Sequence, residues 1–235
     1  MSRWNRIEKG FMIAFLIWAA IGLLFTALKI TPETIAHGAL PGWLKSFVGL
    51  CLGWGDPVLI LLAFANTHLH AARQWGVPLA RRWGIIVLAA ALLVETVGVA
   101  TGFPFGSYVY TDRFGTLLGL VPFTIPLAWH VVVTNSLFLA RLAAPLDARM
   151  LAALLTGLAC ALYDVVLEPF ATQVKGYWYW SNDNIPPLQN YVAWFAVGFI
   201  LAHLFAPRAV TLFRNDPRPA LILGATVLIF LAGRV

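Results

Sequence analysis

Seven long apolar runs, separated by polar connections, dominate the 235-residue sequence. A helix needs about 20 mostly apolar residues to cross the hydrocarbon core of a bilayer. The composition agrees, because 60% of the residues are hydrophobic, 11% are charged and the mean hydropathy is +0.81. We therefore predict an all-α, polytopic transmembrane helical bundle of about seven spans. The predicted spans cover roughly residues 8–28, 47–68, 83–101, 116–138, 149–170, 191–206 and 219–233.

The chain contains no low-complexity segment and no linker long enough to separate two units. We therefore expect residues 1–235 to form one integral membrane domain. The two cysteines, Cys51 and Cys160, lie within predicted spans. We expect them to pack as small apolar side chains rather than to form a disulfide or a metal site.

The basic residues report topology rather than a nucleic-acid partner. The chain has sixteen Lys and Arg residues and ten Asp and Glu residues. Eleven of the sixteen basic residues lie in every second connection between spans, counting from the N-terminus. This asymmetry follows the positive-inside rule and predicts a cytoplasmic N-terminus. The eleven are Arg3, Arg6, Lys9, Arg73, Arg81, Arg82, Arg141, Arg149, Arg208, Arg214 and Arg218, and the other five are Lys29, Lys45, Arg113, Lys175 and Arg234.

Two polar, aromatic segments interrupt the apolar runs. The first aromatic loop is "TGFPFGSYVYTDRFG" (Thr101–Gly115), and the second is "ATQVKGYWYWSNDNIPPLQNY" (Ala171–Tyr191). The predicted topology places both on the non-cytoplasmic side. One interpretation is an aromatic belt, since Trp and Tyr favour the membrane interface. The other is a lid over polar groups in the spans, with Tyr108 and Tyr110 facing a cavity.

Six ionisable residues fall within predicted spans, where such residues are costly and mark a site or a proton pathway. The four carboxylates are expected to converge just below the aromatic loops, with one of them near the middle of the second span. One histidine is expected to be structural, namely the one near the cytoplasmic end of the sixth span. The six residues are Asp56, Glu95, His130, Asp164, Glu168 and His203.

Asp164 and Glu168 are four residues apart and therefore project from one helical face. Two like charges at this spacing repel each other in a low dielectric, so at least one carboxyl is expected to hold its proton. Such a pair suits general acid–base chemistry. The alternative is a hydrogen-bonded clamp between helices. Pro169 is expected to end the span.

Asp56 and His130 lie in spans that contain helix-breaking residues. Asp56 follows "LGWG" and precedes Pro57, a pattern that predicts a broken helix lining a cavity. His130 shares a helical face with Pro126 and Thr134, near an expected kink. It is expected to hydrogen-bond either a carboxylate or a carbonyl that Pro126 leaves without a donor.

Several site classes lack the residues that they need. The last span has no lysine for a Schiff base, and the chain has no HExxH motif and no glycine-rich phosphate loop. We therefore expect neither a metal nor an organic cofactor. Protonatable carboxyls beside aromatic rings, whose faces stabilise cations, fit acid-initiated chemistry on an apolar, polyunsaturated substrate.

Five motifs follow one another between Glu95 and Trp194. They are "GSYVYT" at 106–111, "IPLAW" at 125–129, "DVVLEP" at 164–169, "GYWYW" at 176–180 and "PLQNY" at 187–191. In order and spacing they resemble the CruF-type carotenoid hydratase family of bacteria and archaea. These membrane proteins of carotenoid biosynthesis include carotenoid 1,2-hydratases and bisanhydrobacterioruberin hydratases.

The resemblance implies a cofactor-independent enzyme of a bacterial or archaeal cell membrane. It would add water to the terminal C1–C2 double bond of a linear carotenoid end and give a tertiary alcohol. Its partners would be the carotenoid, water and membrane lipid, with the oligomeric state left open.

The same resemblance suggests roles for the buried residues. Asp164 is the first candidate for the proton donor, followed by Glu168 and Glu95, and Asp56 is a further catalytic candidate. The partner carboxylate or His130 would activate water. Expected substrate contacts are Tyr108, Tyr110, Trp129, Trp178, Trp180, Asn190 and Trp194.

Two other functions remain open at this point. The same cation would close a ring if water were excluded, which would make the protein a carotenoid end-group cyclase. A proton-coupled carrier or a non-catalytic lipid-binding protein would use the same acids, although carriers often show internal repeats and none is evident here.

Overall fold

The computed structural model describes residues 3–38, 40–145, 147–207 and 216–234. Six of the helices in these residues are long and apolar enough to cross a membrane, and α8 is shorter. The predicted all-α membrane bundle is therefore confirmed. The helices are α1 (Arg3–Ala27), α2 (Pro32–His37), α3 (Gly42–Trp75), α4 (Val77–Thr101), α5 (Thr124–Ala143), α6 (Arg149–Pro169), α7 (Leu188–Ile200) and α8 (Arg218–Ala232).

The seventh predicted span is the 15-residue helix α8. At about 1.5 Å per residue it measures about 22 Å, less than the hydrocarbon core of about 30 Å. It packs against α1, α5 and α6, and its Thr226 accepts a hydrogen bond of 3.0 Å from Tyr163 of α6. Of the two cysteines, Cys160 is buried in the bundle and Cys51 is half-buried.

The fourth span starts later than predicted, at Thr124 instead of residue 116. The residues before it form a small hairpin of β2 (Leu117–Leu118) and β3 (Val121–Pro122). Pro126 consequently falls in the first turn of α5, where a backbone N–H has no intrahelical acceptor. The expected kink at Pro126 is therefore wrong.

Pro169 does not end the fifth span, contrary to the sequence prediction. The helix continues as a π-helical turn (Phe170–Lys175) and stops at Gly176, whose φ is +61°. Proline lacks an N–H, so the carbonyl of Val165 loses its intrahelical donor. The guanidinium of Arg234 replaces that donor at 3.2 Å. The chain can therefore stay helical past the proline and reach the loops.

The predicted break at Asp56 and Pro57 is also wrong, because α3 runs unbroken through both residues. Neighbouring helices in a membrane bundle can satisfy the backbone groups that a proline leaves unpaired. Trp18 of α1 also contacts this segment, since its indole N–H donates to the carbonyl of Gly55, two residues before Pro57, at 2.8 Å.

Asp56 lies near the middle of α3, as the sequence predicts, 14 residues after Gly42. It precedes Trp75, the last residue of α3, by 19 residues, which corresponds to about 28 Å of helix. Glu95 follows Val77, the first residue of α4, by 18 residues, or about 27 Å. The two carboxylates therefore lie at a similar height in the bundle.

Buried ion pairs join three helix ends at one end of the bundle, which we call the arginine face. Glu8 of α1 accepts a hydrogen bond of 2.5 Å from Arg218 of α8, and the Nε of Arg73 of α3 lies 3.4 Å from it. Arg73 also pairs with Asp216. This arrangement brings together the second turn of α1, the last turn of α3 and the first turn of α8.

Two further arginines bind backbone carbonyls at the same face. Arg141 donates to the carbonyl of Pro207 at 2.7 Å, and Arg149 donates to that of His203. Arg149 therefore caps a short π-helical segment, Leu201–Phe205, that extends α7. Two of the basic residues assigned to this side, Arg208 and Arg214, lie outside the described residues.

The opposite end, which we call the loop face, is organised by a two-stranded sheet. β1 (Tyr108–Tyr110) of the first aromatic loop pairs antiparallel with β4 (Trp178–Trp180) of the second. Because successive side chains of a strand point to opposite sides, Val109 and Tyr179 point outward, with exposures of 58% and 42%. Their neighbours point toward the acids of the bundle.

Close packing of α6 on α7 generates a stability prediction. A Cβ added to Gly157 would lie 2.6 Å from the carbonyl oxygen of Phe195, whereas one added to Gly224 of α8 would meet nothing within 4 Å. We expect Gly157→Ala to destabilise the protein by about 1–3 kcal/mol through overpacking. Thermal unfolding in detergent should show a lower midpoint for Gly157→Ala and no loss for Gly224→Ala. Equal midpoints would contradict this packing.

Candidate active site

Glu95 is held by three hydrogen-bond donors. Its Oε2 accepts from the hydroxyls of Tyr108 and Tyr110, at 2.6 and 2.7 Å, and its Oε1 accepts from the indole N–H of Trp129 at 2.7 Å. The two tyrosines come from β1 and the tryptophan from the second turn of α5. The carboxyl is buried, so these donors replace the water that it would otherwise bind.

Glu168 is held in the same way by the second aromatic loop. Its Oε2 accepts from the indoles of Trp180, at 2.9 Å, and Trp178, at 3.3 Å. The amide of Asn190 donates to Oε1 of Glu168 at 3.2 Å and to Oδ2 of Asp164 at 2.6 Å. One amide of α7 therefore joins the two carboxyls of α6.

Asp164 lies one turn deeper than Glu168 and is fully buried. Its Oδ1 has no hydrogen-bond partner among the described residues. Glu95 and Glu168 line the central cavity, while Asp164 lies behind Glu168 and Asn190 and is not part of the cavity wall. The structure therefore brings three of the predicted acids together but exposes only two of them to a substrate.

The cavity that these groups surround is narrow and mainly apolar. Its internal volume is about 60 Å³, and one water needs about 10–15 Å³, so a few waters fit. Besides the acids, its wall combines the expected aromatic contacts with aliphatic and phenyl side chains. These are Tyr108, Tyr110, Trp129, Trp178, Trp180 and Trp194, together with Leu59, Ile60, Ile229 and Phe230.

Aromatic rings contact one another around the acids. Trp129 stacks on Trp194 with centroids 3.8 Å apart and an interplanar angle of 15°. Tyr108 and Trp180, which are paired across the sheet, have centroids 5.1 Å apart. Tyr108 donates to Glu95, and its ring contacts Trp180, which donates to Glu168. The sheet therefore holds the donors of the two carboxyls in a fixed relative position.

The tyrosines that hold Glu95 act as donors. Burial raises the pKa of Tyr108 and of Tyr110 above the ordinary value, and the charge of Glu95 raises it further. Both phenols therefore keep their protons near neutral pH. Their inward orientation is the one expected of a lid over the acids rather than of a belt in contact with lipid.

Asp56 also lines the cavity but has a different environment. Its Oδ2 pairs with the ammonium of Lys175 at 2.8 Å, and the two side chains are 22% and 28% exposed. Tyr177 lies in the same wall, close enough to this carboxylate for its charge to act on the phenol. Sequence reasoning missed Lys175 and Tyr177 as parts of this site, although Lys175 is one of only five basic residues that the positive-inside rule assigns to its side.

His130 is not brought to the acids. Its ring is fully buried and packs against Phe64 and His68, with centroids 5.0 and 5.7 Å away. Neither of its nitrogens has a hydrogen-bond partner in the described part of the chain. Its neighbour Trp129 lies in the cavity wall instead, because successive helical residues point in different directions.

Residues 55–234 match a protein family described as carotenoid biosynthesis protein. The chain belongs to this carotenoid biosynthesis protein family. The matched region begins just before Asp56 and includes both aromatic loops and every acid of the cavity. Together with its helices, this membership makes it a multi-pass membrane protein of carotenoid biosynthesis.

One curated relative is the bisanhydrobacterioruberin hydratase of Haloarcula japonica, which is 35% identical over 136 residues. The alignment covers 53% of this carotenoid biosynthesis protein and 45% of the relative, so the chain spans less than half of the relative's length. No solved structure matches the chain.

The donors around Glu95 make a testable contribution to stability. Tyr108→Phe leaves Oε2 of the buried carboxyl with one donor fewer, which should cost about 1–3 kcal/mol. Tyr179→Phe removes the same hydroxyl group from a tyrosine on the outward side of the sheet and should lower the stability little. Thermal unfolding of both variants in detergent measures the difference. Equal midpoints would mean that the hydroxyl of Tyr108 does not support Glu95.

Proposed function

We propose that the protein hydrates the terminal C1–C2 double bond of a linear carotenoid end and produces a tertiary alcohol. The observation that carries this proposal is the pair of buried acids, Glu95 and Glu168, on one aromatic-walled cavity. A proton donor and a proton acceptor beside an apolar space are what acid-initiated hydration needs. Membership of the carotenoid biosynthesis family supports a carotenoid as the substrate. The name of the Haloarcula relative, a hydratase, supports hydration as the reaction.

The proton comes from the carboxyl pair on α6 and is delivered by Glu168. Asp164 and Glu168 are joined by the Asn190 amide, and two ionised carboxylates so close together in a low dielectric would repel each other. The pair therefore shares a proton. Glu168 delivers it because this carboxyl faces the cavity, whereas Asp164 lies behind it. This assignment moves the direct donor from the first sequence candidate to the second.

The cation forms among aromatic rings. The π electrons of the double bond form a new C–H bond at C2, and the positive charge is left on the tertiary carbon C1. The faces of rings such as Trp180, Trp129 and Tyr108 attract a cation, by about 0.5–2 kcal/mol each. The wall is mainly apolar, which limits the number of side chains that compete with water for this cation.

Glu95 accepts the proton that water loses when its oxygen binds C1. Three donors aimed at this carboxyl favour its ionised form. His130, the alternative base, lies outside the cavity wall. A proton then returns from Glu95 to the pair on α6, so the reaction consumes one water and no net proton. No redox step occurs, so the chemistry requires no cofactor.

The arginine face is assigned to the cytoplasm by the positive-inside rule, which places the N-terminus there as well. The loop face then lies on the opposite side of the membrane. Water reaches the cavity from that side, while the carotenoid arrives from the lipid.

The reaction is tested by expressing the protein in a host that makes lycopene, and separately in hosts that make gamma-carotene or bisanhydrobacterioruberin. We expect a new pigment heavier than its precursor by one water, as measured by mass spectrometry. A new pigment of unchanged mass would identify a cyclase instead. No new pigment from any of the three would overturn the proposal for these substrates.

The roles of the acids are tested by carboxyl-to-amide substitutions. Glu168→Gln and Glu95→Gln should each lower product formation at least about 100-fold, the usual contribution of a general acid or base. Asp164→Asn should also lower it, because the pair can no longer share a proton.

The matched control is Asp112→Asn, which changes an exposed carboxylate in the first aromatic loop. It should leave product formation unchanged. Each variant is compared at equal amounts of protein in the membrane. If Glu168→Gln retains full activity, the assignment of the proton donor is wrong.

A further inference from the structure

Among the acids of the cavity wall, Asp56 is the most exposed. Glu95 and Glu168 are only 4% and 2% exposed, whereas the side chain of Asp56 is 22% exposed and lies in the same wall. It lies at the height of Glu95 and contacts the second aromatic loop through Lys175. The side chain of Asp56 therefore connects the reaction cavity with the exterior.

Lys175 covers this point from the second aromatic loop. Its ammonium lies 2.8 Å from the carboxylate of Asp56 and 5.6 Å from the ring centroid of Phe170, another residue of the wall. Arg113 holds the backbone of Lys175 by a hydrogen bond of 3.3 Å to its carbonyl. A side chain from one segment thus reaches across to α3 and narrows the passage.

Tyr177 supports the pair from inside the cavity. Burial, followed by the charge of nearby Asp56, raises the pKa of its phenol well above the ordinary value, so it keeps its proton. Thr111 holds the backbone beside it, since its hydroxyl donates to the carbonyls of Gly176 and Tyr177 at 2.7 and 3.1 Å. The ion pair is therefore fixed in place on both sides.

We propose that the Asp56–Lys175 ion pair is the entry for the nucleophile and determines its size, admitting water and rejecting larger alcohols. This inference rests on the proposed hydration. The pair is not an acid or base of the reaction, because each side chain is occupied by the other. Asp56, a catalytic candidate from the sequence, becomes a specificity-determining residue.

The chemistry of a larger nucleophile is the same as that of water. If methanol reached the cation, its oxygen would bind C1 and its hydroxyl proton would pass to Glu95, which gives a methyl ether in place of the alcohol. Both products come from one cation in one protein molecule. Their ratio therefore reports access to the cavity and does not depend on how much protein is folded.

The experiment supplies methanol to membranes that contain the protein and its carotenoid, and measures the ether-to-alcohol ratio by mass spectrometry. Lys175→Ala and the double variant Asp56→Ala/Lys175→Ala should raise this ratio about tenfold over the unmodified protein, since excluding one methyl group by fit is worth about that factor. Lys175→Arg keeps the ion pair and should keep the original ratio.

Lys45→Ala is the control for loss of a lysine, because Lys45 lies at the same end of the bundle and its ammonium donates to the nearby carbonyl of Ala36 at 2.7 Å. If the double variant does not accumulate, the single Lys175→Ala variant decides. An unchanged ratio in a protein that still makes the alcohol would overturn the entry and leave the hydration standing. An unmodified protein that makes no alcohol would overturn the hydration, and this inference with it.

Discussion

The hydrogen bonds from indoles and phenols to buried carboxyls determine how the loop face is built. A carboxyl taken out of water requires donors, and in a bilayer only the protein can supply them. Glu95 and Glu168 obtain most of theirs from β1 and β4, whose inward residues alternate with exposed ones. The sheet therefore positions the aromatic donors of both loops over the carboxyls near the ends of α4 and α6.

Much of this site can be predicted from the sequence. The acids at Glu95, Asp164 and Glu168 and the aromatic segments that follow them are visible because a polar residue in an apolar run is conspicuous. The order and spacing of the motifs also indicate the protein family. The alternation in "YVY" and "WYW" is compatible with strands, but the pairing of Tyr108 with Trp180 joins residues 72 positions apart, and no local pattern specifies it.

Proline positions account for most of the differences between prediction and structure. The sequence predicts a broken helix at Pro57, a kink near Pro126 and the end of a helix at Pro169. In the structure, α3 continues through Pro57, Pro126 falls in a first turn, and Arg234 supplies the donor that Pro169 removes from the carbonyl of Val165. Arg234 is 65 residues away from Pro169 in sequence, so the effect of that proline depends on a tertiary contact.

The spacing between each acid and its donors has a consequence for membrane insertion. Tyr108 and Tyr110 follow Glu95 by 13 and 15 residues, and Trp178 and Trp180 follow Glu168 by 10 and 12. Each acid thus leaves the ribosome shortly before its own donors, on the same helix–loop unit. The first unit can compensate its carboxyl before the second has been synthesised. Glu95 and Glu168 can therefore enter the lipid one after the other, each with donors from its own loop, and β1 and β4 need to meet only afterwards.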